Sequence, residues 1–251
     1  ESLASLRKAL EPRCNRLFRR LNQVPDATGR LVKLRGELLH HEAAYPELKP
    51  IDDDLKRLLL IWFNLGFLSL RRISWDSPAS TLEKLIEYEA VHEIRGWGDL
   101  RSRLKEDRRL FAYFHPAMPD DPIIFVQVAL KAGSSDSIGP LVQEDRLQQN
   151  PALSDTATFY SISNCHNGLR GISFGNFLIK SVVEELKKEI HTLDTFVTLS
   201  PVPGFRKWLL AADLDGLVPP QLMDRVREPL GQVVSAEIYD ALMKLCAHYL
   251  Y

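Results

Sequence analysis

The periodicity of apolar residues changes near residue 105, and that change restricts the chain to folds that join a helical part to a mixed one. Before it, Leu3, Leu6 and Leu10 recur at helical spacing, and a second run covers residues 31–39 after Pro25-Asp26-Ala27-Thr28. The acidic Asp52-Asp53-Asp54 complements the positive end of a helix dipole and predicts a third helix through Leu58, Trp62 and Phe63. In Ser77-Pro78-Ala79-Ser80 the serine is placed to cap and the proline to take the first helical position. Leu82, Leu85, Ile86, Tyr88 and Ala90 then form the apolar side. These signals predict an all-helical bundle over residues 1–105.

Beyond Asp107 the runs shorten and become β-rich. Residues 110–115 and 123–130 read as an antiparallel hairpin around the long turn Pro116-Ala117-Met118-Pro119-Asp120-Asp121-Pro122. A short helix is expected near Leu141, a strand over residues 157–162, an amphipathic helix over about residues 175–190 and a strand over residues 195–199. The fold class predicted is therefore α+β, with a mixed domain over residues 106–251.

Composition removes several classes of function. A 251-residue chain that is 45% hydrophobic and 26% charged is globular rather than disordered. No apolar run approaches the roughly 18 to 20 residues that span a bilayer, since residues 58–67 are broken by Asn64 and Gly66. A soluble protein with no membrane partner is expected. Lys and Arg number 32 against 33 acidic residues, a net charge of -1, which provides no electrostatic basis for binding nucleic acid. Cys14, Cys165 and Cys246 are odd in number and far apart, which suits a reducing compartment, and no zinc spacing occurs. Glu1 is not an initiator methionine and no leader precedes the first helical stretch, so the start reads as trimmed and the cytoplasm as the default compartment.

The stretch most suggestive of chemistry runs Gly168-Leu169-Arg170-Gly171-Ile172-Ser173-Phe174-Gly175-Asn176, between a predicted strand and a strong helix. Three glycines let a backbone approach a bulky ligand, the helix start offers unpaired N–H groups to anions, and Arg170 adds a forked donor; together they suit a pyrophosphate. An ordinary glycine-containing turn is the competing reading, because neither the dinucleotide fingerprint nor the P-loop lysine signature is present. Ser200 closes a predicted strand in Leu199-Ser200-Pro201-Val202-Pro203-Gly204-Phe205, where it either faces a reacting group or caps the next turn. His115 and His166 stand at strand ends, His40 and His41 in a loop, and no pair of histidines has metal-ligand spacing. His248 falls in an apolar stretch and reads as a packing residue. Glu87 and Glu89, two apart, cannot share a helical face and make a poor acid–base pair. Trp62, Trp75, Trp97 and Trp208 read as packing residues.

Several segments together are distinctive: Ile73-Ser74-Trp75-Asp76-Ser77-Pro78-Ala79, Ile86-Glu87-Tyr88-Glu89-Ala90-Val91-His92, Phe114-His115-Pro116-Ala117-Met118-Pro119, Phe159-Tyr160-Ser161-Ile162-Ser163 and the Leu199 to Phe205 motif. They resemble the malonyl-CoA decarboxylase family along the whole chain. The resemblance implies an all-helical N-terminal domain used in tetramer assembly and a catalytic domain of acetyltransferase-like (GNAT) fold. It implies that Arg170, Gly171, Ile172, Ser173, Phe174, Gly175 and Asn176 bind the CoA part of malonyl-CoA, and that Ser200 is the active-site serine. Ser173 departs from the animal members, which carry glutamate there. The family's catalytic histidine and a functional tyrosine are expected in a segment beyond Tyr251, and His248 does not take that role.

The implied reaction converts malonyl-CoA to acetyl-CoA and CO2. The thioester itself delocalises the charge left by decarboxylation as an enolate, so neither a metal nor an organic cofactor is expected. Acyl transfer from CoA, and a non-catalytic CoA-binding or oligomerisation role, are the competing expectations.

Overall fold

The computed structural model describes residues 13–143, 145–228 and 234–251. The expected helix through Leu3, Leu6 and Leu10 lies outside the described residues. By packing, the chain forms two units, Glu1–Leu199 and Ser200–Tyr251.

The first unit is built on one five-stranded sheet in the order β1-β2-β3-β4-β5. Before the sheet come α1 (Arg13–Leu21), α2 (Ala27–His41) and α3 (Lys49–Trp62); then β1 (Ser69–Ile73), α4 (Ala79–Tyr88) and α5 (Trp97–Arg103). The hairpin strands β2 (Arg108–His115) and β3 (Met118–Lys131) follow, then the short α6 (Gly139–Val142), β4 (Thr156–Asn164), α7 (Gly175–Glu189) and β5 (Thr195–Thr198). Pairing is antiparallel from β1 to β4, and β4 to β5 is parallel, as a helical crossover between neighbouring strands requires.

The sheet is buried on both faces because successive residues of β2 point opposite ways. Phe111 and Tyr113 join Leu55, Leu58 and Leu59 of α3 and Leu178, Val182 and Leu186 of α7. Leu110, Ala112 and Phe114 join Leu82 and Leu85 of α4 and Leu100 of α5. At about 25 cal/mol per Å² of apolar surface, this two-sided burial is the main stabilising term for the unit.

Several local expectations are corrected. The helical stretch before residue 105 contains strand β1, whose only buried residue is Ile73. Helix α2 runs on through His40 and His41 rather than leaving them in a loop, and α3 starts at Lys49, led in by a 3₁₀ turn at Pro46–Leu48. Ser77 does not cap α4: its hydroxyl accepts the Ser74 N–H at 3.1 Å, closing the preceding turn, and Pro78 occupies the cap position. The hairpin turn is shorter than expected, since His115 pairs directly with Met118 and the irregularity is absorbed by register shifts within the strands. Trp75 and Trp97 pack edge to face at 6.1 Å yet remain more than two-fifths exposed.

The second unit holds α8 (Phe205–Ala211), α9 (Met223–Arg227) and α10 (Ala236–Leu250), packed around Leu209, Leu214, Val218, Val226 and Leu245. His248 lies 6.0 Å from the Trp208 ring, a packing position, and the Tyr249 hydroxyl donates to Pro203 O at 2.8 Å. No helix among the described residues is long and apolar enough to cross a membrane.

His115 joins the hairpin tip to the end of α3. Its Nδ1 accepts the Ala117 N–H at 3.1 Å, which leaves Nε2 to donate to Trp62 O at 3.1 Å. The bond accepted by Nδ1 needs the neutral ring, and burial pushes the His115 pKa below its ordinary 6.5. His166 is shifted the same way, again chiefly by burial. Below pH about 6.5 the unfolded chain therefore binds protons that the folded chain refuses, so stability falls as pH drops through that value. Urea unfolding is expected to give a lower free energy at pH 5.5 than at pH 7.5, with a smaller difference in His115→Gln. An unchanged difference in that variant would remove His115 from the account.

Candidate active site

The glycine-rich segment leaves β4 at Asn164, passes through a 3₁₀ turn at Asn167–Leu169 and enters α7 at Gly175. Its path is dictated from the helical side. Gly168 approaches α2 so closely that a Cβ there would stand 1.8 Å from Val32 O. Arg35 of α2, 2% exposed, then holds the segment by its carbonyls: Nη1 donates to Gly168 O at 2.7 Å and to Arg170 O at 2.8 Å. The same guanidinium donates from Nε to Asp52 of α3 at 2.8 Å, so a buried charge is paired while it organises the loop.

Within the seven predicted ligand-binding residues, side chains alternate between anchoring and exposure. Ile172 and Phe174 are buried in the core beside Leu178, while Arg170, Gly171, Ser173 and Asn176 are exposed. Ile172 and Phe174 thus hold the loop in place and leave Arg170, Ser173 and Asn176 exposed. No backbone acceptor among the described residues takes the N–H groups of Ser173 and Phe174, and those of Gly175 and Asn176 are orphans of a helix start. Helix α7 has no side-chain cap and no acidic residue in its first turn. Gly171 has φ +80°, the left-handed region that favours glycine, and turns the chain between Arg170 and Ile172. A row of N–H donors at the start of a 15-residue helix, with an exposed arginine at its edge, is suited to a phosphate-bearing ligand.

Ser200 is exposed and opens the second unit. It does not cap: α8 begins five residues later behind Gly204, with no side-chain cap. Within that unit its loop is fastened at Pro203 by Tyr249. Directly before it, Leu199 N–H donates to Phe159 O at 2.8 Å, continuing the parallel ladder that ends at Phe159↔Thr198. Beyond that point β4 continues for residues 160–164 with no strand on that edge among the described residues.

A buried polar network escaped the sequence reading. Glu89, just past α4, accepts from Ser161 Oγ (2.7 and 2.8 Å), Ser163 Oγ (3.1 Å) and Gln127 Nε2 (2.5 Å), and from the N–H groups of Val91 and His92 (both 2.9 Å). Gln127 Oε1 in turn accepts the Tyr160 hydroxyl at 3.0 Å, and burial pushes the Tyr160 pKa up to about 12. Arg103, paired with Asp99 at 2.9 Å, donates to His92 O and Glu93 O. Glu87, by contrast, is exposed. The network ties together two of the distinctive segments, residues 86–92 and 159–163, and the alternation of Ser161 and Ser163 on one strand face was its one sequence signal. Among the described residues no three His, Cys, Asp or Glu side chains are grouped to hold a metal ion.

Comparisons with known proteins agree with one another. A family model described as the malonyl-CoA decarboxylase C-terminal domain matches residues 66–250, and one described as the N-terminal domain matches residues 1–63. The mitochondrial malonyl-CoA decarboxylase of Anser anser anser is 41% identical over 211 residues, covering 82% of this chain and 42% of that protein. The Rattus norvegicus counterpart is 40% identical over 212 residues, covering 82% and 43%. The chain thus spans less than half the length of these relatives. Crystal structures of malonyl-CoA decarboxylase from Rhodopseudomonas palustris and Agrobacterium vitis superpose with TM-scores of 0.87 and 0.85, at 46% and 45% identity. Each alignment covers 96% of this chain and 60% of the solved one.

The close approach at Gly168 is testable. Gly168→Ala meets main chain and is expected to cost about 3 kcal/mol in urea unfolding. Gly36→Ala, whose added Cβ would meet Gly168 N at an ordinary 3.6 Å within a helix, is expected to be neutral or stabilising by up to about 1 kcal/mol. A Gly168→Ala protein as stable as wild type would contradict the packing.

Proposed function

Because the chain belongs to the malonyl-CoA decarboxylase family, we propose that the protein carrying it converts malonyl-CoA to acetyl-CoA and CO2. The observation that carries this reading is the loop of residues 170–176, in which two buried anchors leave Arg170 exposed near a row of N–H donors that no backbone acceptor among the described residues takes at the start of α7. That arrangement matches the phosphates of a CoA thioester. The sheet supports an acetyltransferase-like architecture for the catalytic part, with antiparallel strands ending in a parallel β4–α7–β5 unit beyond which residues 160–164 of β4 run on without a strand on that edge among the described residues.

The chemistry follows from few requirements. The scissile carboxylate bond must stand perpendicular to the thioester plane so that its electrons pass into the carbonyl, with donors aimed at the developing oxyanion. A poorly solvated carboxylate raises the ground state relative to that delocalised product. The enolate then takes a proton at carbon two. In this reading Ser200 contributes its hydroxyl at the reacting centre, and the histidine that the family resemblance places beyond residue 251 positions the carboxylate or supplies the proton. The thioester is the only electron sink invoked, and no cofactor enters.

The same reading assigns the helices of residues 1–105 to assembly of a homotetramer and residues 106–251 to catalysis. It places the protein in a reducing, cytoplasmic compartment, which its three unpaired cysteines suit.

The test is release of labelled CO2 from carboxyl-labelled malonyl-CoA, matched to acetyl-CoA, by the product of the complete gene. Ser200→Ala is expected to lower kcat by about 10²-fold or more while CoA binding is retained. Full activity in Ser200→Ala overturns its role. CoA binding without CO2 release by the wild type overturns the decarboxylase reading in favour of an acyltransferase or a CoA-binding scaffold.

A further inference from the structure

We infer that Lys56, carried by the helical part of the chain, supplies a cation to a phosphate of bound CoA. The inference rests on the reading of residues 170–176 as the CoA loop and adds to it a residue from outside that loop.

Lys56 lies one helical turn beyond Asp52 on α3, so the two share a face. Asp52 is committed to Arg35, and Arg35 grips the carbonyls of Gly168 and Arg170, so this face of α3 is fastened against the loop. The Lys56 ammonium stands 3.0 Å from the position a Cβ on Gly171 would take, with Cε at 3.3 Å. It is partly buried, and among the described residues no carboxylate stands within ion-pair distance of it and none accepts a hydrogen bond from it. The loop cannot supply a counter-charge, because no acidic residue occurs from Thr156 to Val183.

An ammonium drawn partly out of water without a partner is unfavourable on its own. It becomes favourable when an anion joins it, and lysine serves phosphate as a mobile point charge where arginine would impose a planar fork. Lys56 then stands beside Gly171, which is next in the chain to the exposed Arg170 and two residues before the N–H row of residues 173–176. The glycine at 171 meets two demands at once, the left-handed turn and room for the Lys56 head group.

The test is calorimetric titration of the full chain with CoA at two salt concentrations. Lys56→Gln is expected to weaken CoA binding about tenfold at low salt. Its affinity should also fall less steeply with salt than that of the wild type, because one charge contact is gone. Lys56→Arg is expected to stay within about threefold of wild type, and Lys56→Gln should melt at the wild-type temperature because the ammonium has no partner among the described residues. Equal CoA affinity in Lys56→Gln and wild type overturns the inference, as does weakening with undiminished salt dependence. A wild type that binds no CoA overturns the reading of residues 170–176 itself.

Discussion

Everything around the candidate site depends on one buried guanidinium. Arg35 faces three partners that a chain can bring together only by folding: a carboxylate from the next helix and two carbonyls more than 130 residues away. A buried charge is costly unless its hydrogen bonds are all met, so the side chain is satisfied only when α2, α3 and the loop are in place together. The helices before the sheet thereby set the geometry of the candidate loop. The loop itself has only two side-chain anchors, Ile172 and Phe174, and without the grip on its carbonyls its outward row of N–H groups would have no fixed direction.

A second buried polar side chain serves a different end. Glu89 receives five donors: the adjacent N–H groups of Val91 and His92, the Gln127 amide of β3, and the hydroxyls of alternate residues of β4. The part of β4 that runs on past the β5 ladder is held on one side by this network. Polar satisfaction here fixes a strand segment that, among the described residues, has no strand neighbour on the edge that β5 occupies earlier.

Elements with a strong period were legible in the sequence. The β2–β3 hairpin, β4, α7 and β5 follow from continuous apolar runs or a helical stripe, and the glycine segment was placed correctly between a strand and a helix because its breakers and the following stripe are local signals. What the sequence concealed depends on distant partners. Strand β1, Ser-Leu-Arg-Arg-Ile, buries a single residue and pairs along only one edge, so it has no alternation to read. Ser77 looked like a cap because capping and turn closure use the same hydroxyl, and only the Ser74 N–H at 3.1 Å decides between them. Glu89 was set aside beside Glu87 for want of a shared helical face, whereas its partners lie some 70 positions away on β4. Arg35 and Lys56 sat unremarked in helices whose charged residues mostly face water.

Gly168 has a consequence for how this region can vary. The atoms that an added Cβ would strike are Val32 O and C and Gly36 N, all of them main chain. A crowded side chain can be relieved by trimming its neighbour, but no replacement elsewhere in the sequence removes a carbonyl oxygen. The position is therefore closed to compensation: a lineage or an engineer that alters it must move a helix, and moving α2 also moves Arg35 off the two carbonyls it holds. Variation in this segment is left to its exposed residues, Arg170, Ser173 and Asn176.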